Sequence, residues 1–467
     1  MVLRPSIQTN IRSNLSLISP TGPGVIAIMG TAQWGPFDAL QTLSSFNDGL
    51  NAFQDDSIVD TNLTLIKGLD LMYRNGAGTV YAMRVDDGSA ATSSITLKAG
   101  TTSVITVYGF YKGTYGNNVS VTVTANGTGR DVMITDGNAV ENYTNSGNGY
   151  TSNLVLVAAI NAASALTIAT CLVNTYLLDT ATATNMTGGL NGSAPSASNY
   201  TTAFDNYLDT QVFNILVVPG TTADSFHSTM VAKLNTRELN EDKFSVFIGG
   251  VALNESIATM TARTAGGKRL SVVTPSIAYT NRISGITGFL DGSYLSCAYA
   301  GVVAANYPEI SPTHKLVSTE GIYATTTGKR YYNNGEQEQI LSARIVPMSL
   351  ISGSEMCVRG VTRNVDITEV WFEQNIVDIV DQVEYDLLNM LNGFIGDPNL
   401  PRVRNVMAKN CDGILETAKR NETIEAYQPS IVSLGVSPDT VNVAITIRPT
   451  FSINFITLNL TIDAVSS

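Results

Sequence analysis

The chain has 467 residues, 44 % of them hydrophobic and only 14 % charged, against roughly 25 % charged in ordinary soluble domains, so Ser, Thr and Asn must supply much of the polar surface. A net charge of −12 with no Lys/Arg run argues against nucleic acid as a partner. No apolar stretch reaches the length of a membrane-spanning helix and none follows the opening MVLRPSIQ, so no membrane insertion is expected, and synthesis and folding are expected in the cytoplasm.

The length suggests about two to four domains. Ile7, Ile11, Leu15 and Leu17 fall at odd positions of the first segment, with polar residues at the even ones, which predicts a strand with one apolar face. Pro20 closes it, and Gly22-Pro23-Gly24 turns the chain into VIAIMG (25–30), an unbroken apolar run like the buried strand of an α/β sheet. Ser44 or Ser45 is placed to cap a short helix through Phe46, Leu50 and Phe53. Asn62 is placed to cap a second through Leu63, Ile66, Leu69 and Tyr73, ending at Gly76. TVYAMRV (79–85) returns to strand.

Between about 88 and 198, Thr, Ser, Asn and Gly dominate, and short alternating runs such as Val119, Val121 and Val123 predict an inserted antiparallel β domain, a small sandwich or barrel. GGLNGSAPSASN (188–199) reads as a flexible linker. Buried strands are then expected at VFNILVVPG (212–220), KFSVFIGG (243–250) and LSVVTP (270–275), with helices around 223–237 and 255–265. An almost wholly buried helix over 292–308 is stopped by Pro308.

In the last third, Ile376, Val380, Val383, Leu387, Met390 and Phe394 step by four and three, with Asp378, Asp381 and Asp386 off that stripe, which predicts a long amphipathic helix. Asp397-Pro398-Asn399 breaks it, and a second helix follows over roughly 401–420. Val441, Val443, Ile445 and Ile447 form an alternating strand ended by Pro449. The parity of Phe451, Ile453 and Phe455 switches at Ile456, as a β-bulge allows, and Ile456, Leu458, Leu460 and Ile462 make a closing one-sided strand.

Little in the chain points to catalysis. Cys171, Cys297, Cys357 and Cys411 are scattered and read as buried structural thiols, and His227 and His314, the only histidines, read as surface imidazoles. No phosphate-binding glycine motif or nucleophile elbow occurs, and AGGKRL (265–270) lacks the glycine and hydroxyl of a nucleotide loop. Glu336 and Glu338 would share a face on a strand, the arrangement a glycosidase would need beside a cleft, but exposed loop acids are the commoner reading. Arg402, Arg404 and Lys409 gather into a basic strip within an acidic protein, a candidate for docking on an acidic partner. No enzyme activity, metal or cofactor is expected.

The segment YKGTYGNNVSVTV (111–123) resembles the G-x-x-G-N-x-[apolar]-x-V signature that opens the inserted domain of contractile phage tail sheath proteins. Gly113, Gly116 and Asn117 would sit at turn positions with unusual backbone angles. GPGVIAIMGTAQWGP (22–36) and GAGTVYAMRV (76–85) are similar to the family's first core strand and to the strand before the insertion.

The resemblance implies an α/β fold: a split α/β core domain (21–87 and 199–345), an inserted antiparallel β domain (88–198), a C-terminal α+β domain (346–449) and extended terminal arms (1–20 and 450–467). It implies a virion tail sheath subunit, assembled in the host cytoplasm as a helical or stacked-ring homo-oligomer, that contracts to drive a tail tube through a cell envelope. Its partners would be the tube, baseplate and tail terminator proteins. The apolar residues of both arms would complete sheets in neighbouring copies, with Val441, Val443, Ile445 and Ile447 as acceptor strand, residues near Pro20–Gly24 and Pro449 as pivots, and Arg402, Arg404 and Lys409 toward the tube. A self-assembling surface-layer or adhesin protein, or a carbohydrate-active enzyme with a β accessory domain, are the rival readings. A sheath from a secretion apparatus or bacteriocin particle is not distinguished from a phage sheath.

Overall fold

The computed structural model describes residues 24–37, 39–54, 63–145, 147–281, 285, 287–364 and 370–456. The first arm, Asn62 and the closing residues Leu458, Leu460 and Ile462 lie outside them.

An eight-stranded sheet organises the chain. In spatial order it runs Ser354–Cys357, Val346–Ile351, Leu270–Thr274, Val246–Gly250, Ile215–Val217, Ile26–Gly30, Val80–Arg84 and Leu40–Leu43. The inner strands are parallel and each edge strand is antiparallel to its neighbour. Such a sheet is covered on both faces, so its inner strands Ile26–Gly30, Ile215–Val217, Val246–Gly250 and Leu270–Thr274 are buried along their whole length and mostly apolar. Ile26 and Ile28 join the core beneath helices Leu65–Arg74 and Gly292–Ala305. Ala27 and Met29 join the opposite core with Tyr200, Phe226 and Leu234, which come from helices Ala197–Ala203 and Asp224–Glu241. The period-two alternation of a strand produces this division.

Val346–Ile351 and Ser354–Cys357 complete the sheet through buried Val346, Met348 and Cys357, so the expected boundary at 345/346 falls inside a continuous hydrogen-bonded layer. Helix Phe46–Phe53 is capped by Ser45, whose Oγ accepts from Asp48 N at 3.2 Å. The next helix begins later than its apolar pattern suggested, at Leu65, with Thr64 at the cap position.

Residues 94–185 build two antiparallel sheets: Ser94–Ala99, Thr102–Gly109 and Thr167–Cys171 in one, and Ala181–Asn185, Ser120–Asn126, Gly129–Thr135 and Val140–Tyr143 in the other. Both face one core containing Val107, Val121, Val123 and Ile134. Helix Asn153–Ala163, which the composition hid, adds Leu156 and Ile160 to it.

Several expectations are corrected. GGLNGSAPSASN is not a free linker: Gly189 N donates to Asn117 Oδ1 (2.8 Å), Asn117 Nδ2 donates to Gly189 O (3.0 Å), and Asn191 accepts from Thr114 N (2.8 Å). Of the signature glycines only Gly113 has an unusual backbone angle, φ 130°. Gly116 lies in a 3-10 turn, Thr114–Asn118, and is required by crowding, since a β-carbon there would lie 2.3 Å from Ser93 Oγ. His227 is fully buried against Phe247, where burial and the nearby Arg263 charge hold its pKa down at about 4. His314 does lie in an exposed turn. Glu336 and Glu338 sit on helix Asn334–Ser342, where Glu336 closes a capping box with Asn333, so they do not share a face.

The helix with the three-four stripe runs Gln374–Asn392, and Phe394 lies beyond it. Its polar positions are not a wet face: Asp378 and Asp381 are 4 % and 3 % exposed. The helix lies between the core sheet and the C-terminal hairpin, so it has little solvent side in its first three turns.

Candidate assembly surface

The C-terminal unit consists of helix Gln374–Asn392, helix Pro401–Arg420 and a hairpin of Ile424–Leu434 with Val441–Pro449. Their shared core holds Ile379, Val383, Leu387, Cys411, Leu415 and Ile424, with Phe244 contributed by the segment entering the main sheet. Val441, Val443, Ile445 and Ile447 are half-buried and alternate with exposed Asn442, Ala444, Thr446 and Arg448, and Val443, Ile445 and Ile447 pack against that core. Among the described residues the two strands pair only with each other, so each leaves a row of backbone donors and acceptors at its outer edge. Pro429 sits in the register shift between Gln428 and Ile431. A proline there removes a donor and blunts the edge of its strand. The opposite strand has no proline before Pro449.

Beyond the hairpin the chain does not pivot at once at Pro449. Thr450 Oγ1 donates to Glu422 O (2.6 Å), Asn375 Nδ2 to Ser452 Oγ (3.3 Å) and Asn454 Nδ2 to Glu373 Oε1 (2.7 Å), while Phe455 stacks 5.4 Å from the Arg359 guanidinium. Arg359 Nη2 also donates to Glu373 (2.6 Å). These polar ties hold the chain in an irregular extended path through Ile456, without the expected bulged strand. Ile453, Phe455 and Ile456 are 82 %, 81 % and 86 % exposed, apolar residues left uncovered at the end of the described chain.

A buried ionic cluster fastens this unit to the sheet. Arg269, fully buried, donates through Nε to Glu238 Oε2 (2.9 Å) and through Nη1 to Asp381, and Lys268 Nζ reaches Glu238 Oε1 at 2.8 Å. Burial pushes the Glu238 carboxyl up, but the Arg269 and Lys268 charges outweigh it and hold it at about 2. The AGGKRL segment is therefore a structural latch. Asp378 is buried with Gln374 Nε2 at 3.0 Å, and burial pushes its carboxyl up to about 7. Nothing in the sequence pattern alone announced this cluster.

The basic strip divides. Seven residues are nearly two helical turns, so Arg402 and Lys409 share a side, while Arg404, two residues on, points roughly 200° away. Arg404 is also engaged, donating to Asn399 Oδ1 at 2.6 Å, whereas Arg402 and Lys409 are exposed.

The inserted domain is joined to the sheet by Arg84. Its guanidinium, 1 % exposed, donates to Gly35 O (2.9 Å) and Lys112 O (2.8 Å) and lies 3.8 Å from the Phe37 ring centre. A β-carbon on Gly113 would come within 2.0 Å of Gln33 O.

Among the described residues no cluster of His, Cys, Asp and Glu is arranged to hold a metal, and no helix is long and apolar enough to cross a membrane. The described residues form a mixed α/β protein with an open C-terminal hairpin, and its fold is that of contractile tail sheath proteins. The sheath tail protein of Desulfitobacterium hafniense superposes with a TM-score of 0.68 at 15 % identity, covering 95 % of this chain and 100 % of that one. The sheath tail protein of Listeria innocua superposes equally well, TM-score 0.68 at 17 % identity, covering 93 % and 94 %. The helical sheath of the anti-feeding prophage in its contracted state matches at TM-score 0.55 and 10 % identity over 99 % of both chains. By sequence, a protein of Enterococcus phage phiEF24C assigned as a tail sheath protein is 22 % identical over 284 residues, 59 % of this chain. The match spans 48 % of that relative's length. No protein-family model matches the sequence.

Proposed function

We propose that this chain is the repeating subunit of a contractile tail sheath, a non-enzymatic structural protein that polymerises around a tail tube and shortens to drive it through a cell envelope. The observation that carries the reading is the likeness of fold to sheath tail proteins over 95 % of the chain. A similar fold in a contracted helical sheath adds the helical assembly. The surface-layer and glycosidase readings gain no such support, and the acid pair the glycosidase required sits on the wrong element.

In this reading the subunit works in the virion tail as a helical homo-oligomer, with tube, baseplate and tail terminator as partners and assembly in the host cytoplasm. The segment 1–20 and the end of the segment 450–467 reach into adjoining copies, Ile7, Ile11, Leu15 and Leu17 on one and Ile456, Leu458, Leu460 and Ile462 on the other filling alternate pockets. The unblunted edge carrying Val441, Val443, Ile445 and Ile447 receives a strand. The contact is heterologous and does not close on itself, so it propagates. The ties from Thr450 to Asn454 hold the residues that follow Pro449, so the second pivot is not at Pro449 itself. Of the basic residues, Arg402 is the best placed for the tube. It stands in the first turn of its helix, where the helix dipole disfavours a cation, a placement an external acidic surface would offset.

Electron microscopy of purified protein tests the proposal. Hollow tubes or stacked rings are expected, and removal of residues 1–18 is expected to leave folded protein that does not polymerise. Uniformly small particles at high concentration, or normal tubes from the truncated chain, would count against it.

A further inference from the structure

A cleft of about 840 Å³ opens between helices Gln374–Asn392 and Pro401–Arg420 and the turn at 307–309. Val383, Met390 and Ile414 give it an apolar lining, and Asp386 and Lys409 give it charged walls. Neither Asp386 nor Lys409 forms an ion pair among the described residues. Gly413 lines the cleft, and a β-carbon placed on it would meet nothing within 4 Å.

Gly24, the first described residue, lies beside this cleft. Gly24 N donates to Ala304 O at 2.8 Å, and a β-carbon on Gly24 would lie 3.2 Å from Cγ of Tyr307, which lines the cleft. Residues 1–23 therefore join the described chain at that rim. They carry Arg4 and Arg12 and no acidic residue, whereas the rest of the chain is strongly acidic and the cleft includes Glu309 and Asp386. Leu15, Leu17 and Ile18 stand six to nine residues before Gly24, a reach of about 20–30 Å for extended chain. The helix of 19 residues that forms one wall is about 28 Å long.

We infer that this cleft is the docking site for residues 1–23 of the same chain in the free subunit, with the apolar side chains of 15–18 on Val383, Met390 and Ile414 and Arg12 toward Asp386. The apolar stripe that a neighbour would otherwise receive is thereby covered before assembly, which removes the hazard of an exposed apolar strand in solution. The docking itself does not rest on the sheath reading, since it concerns a single dissolved subunit.

The test places a photo-reactive p-benzoylphenylalanine at Leu15 in the full chain. Equal amounts of nitrogen-15-labelled and unlabelled protein are mixed at low concentration, irradiated and digested, and the cross-linked peptides are read by mass spectrometry. Cross-links to 382–390 and 410–418 within chains of one isotope are expected. Gly413→Phe fills the cleft and is expected to abolish them, while Gly413→Ala retains them. Both substitutions replace a glycine inside a helix by a better helix former, and a circular-dichroism melt verifies that each variant is folded. Cross-links joining labelled to unlabelled chains would overturn the inference in favour of a second copy as occupant. Cross-links elsewhere, or a signal unchanged in Gly413→Phe, would overturn it outright. Tube formation seen by microscopy is a separate readout, so failure here and failure of the sheath proposal are distinguishable.

Discussion

Arg269→Met tests whether the latch between sheet and C-terminal unit is held by charge. The substitution keeps an unbranched side chain but removes the partner of both Glu238 and Asp381. Glu238 keeps Lys268 at 2.8 Å, so the cost falls mainly on Asp381, which is 3 % exposed and left with its charge unanswered. Breaking a buried pair from one side costs about 3–5 kcal/mol. The loss should concentrate on helix Gln374–Asn392, which Asp381 anchors. Hydrogen exchange of that helix, followed by mass spectrometry, should report protection falling well ahead of the main sheet, and the first transition in a urea titration should move to lower denaturant. The double variant Arg269→Met with Asp381→Leu should recover most of the loss, since a buried ion pair is often replaced by apolar residues at little cost. Phe244, Ile379 and Val383 provide apolar surroundings. A single-variant loss under about 1 kcal/mol, or a double variant worse than the single, would refute the argument.

Asp378→Asn addresses a carboxyl whose folded pKa is raised by burial to about 7. The folded state then binds the proton more tightly than the unfolded one, so this group's contribution falls as pH rises from about 4 to about 7. The variant should be near-neutral at pH 4 and more stable than the parent at pH 8, by as much as about 4 kcal/mol, as read by denaturation at the two pH values. The opposite sign applies to Glu238, held at about 2: its contribution is present above about pH 4.5 and lost as pH falls toward 2, so Glu238→Gln should flatten the acid limb of the stability curve. Asn117→Ala removes both hydrogen bonds to Gly189 and should cost about 1–3 kcal/mol, with earlier proteolysis near 188–199. Gly113→Ala meets both the φ of 130° and the 2.0 Å approach to Gln33 O, so it should exceed that cost and expose the same junction, which a protease time course would reveal.

Much of the organisation was legible because strands and helices carry their periods in the chain itself. The unbroken run Ile26–Gly30, the buried helix Gly292–Ala305, the helix starting at Pro401 and the alternating Val441–Pro449 strand all appear where pattern and punctuation put them. The arms' apolar residues at 7–17 and 458–462 remain inferences from that period, since they lie outside the described residues.

What period cannot carry is the environment of the polar side of an element. Asp378, Asp381 and His227 look like solvent-facing groups in one dimension, yet each is buried because a second layer packs over them. Gly116 and the segment 188–199 look flexible, yet crowding by Ser93 and the amide of Asn117 fix them. Local propensity and alternation follow from each residue and its near neighbours, and the sequence determines those alone. The ion pairing of Arg269 with Asp381, 112 residues away, depends on which surfaces meet, and only the folded packing decides that.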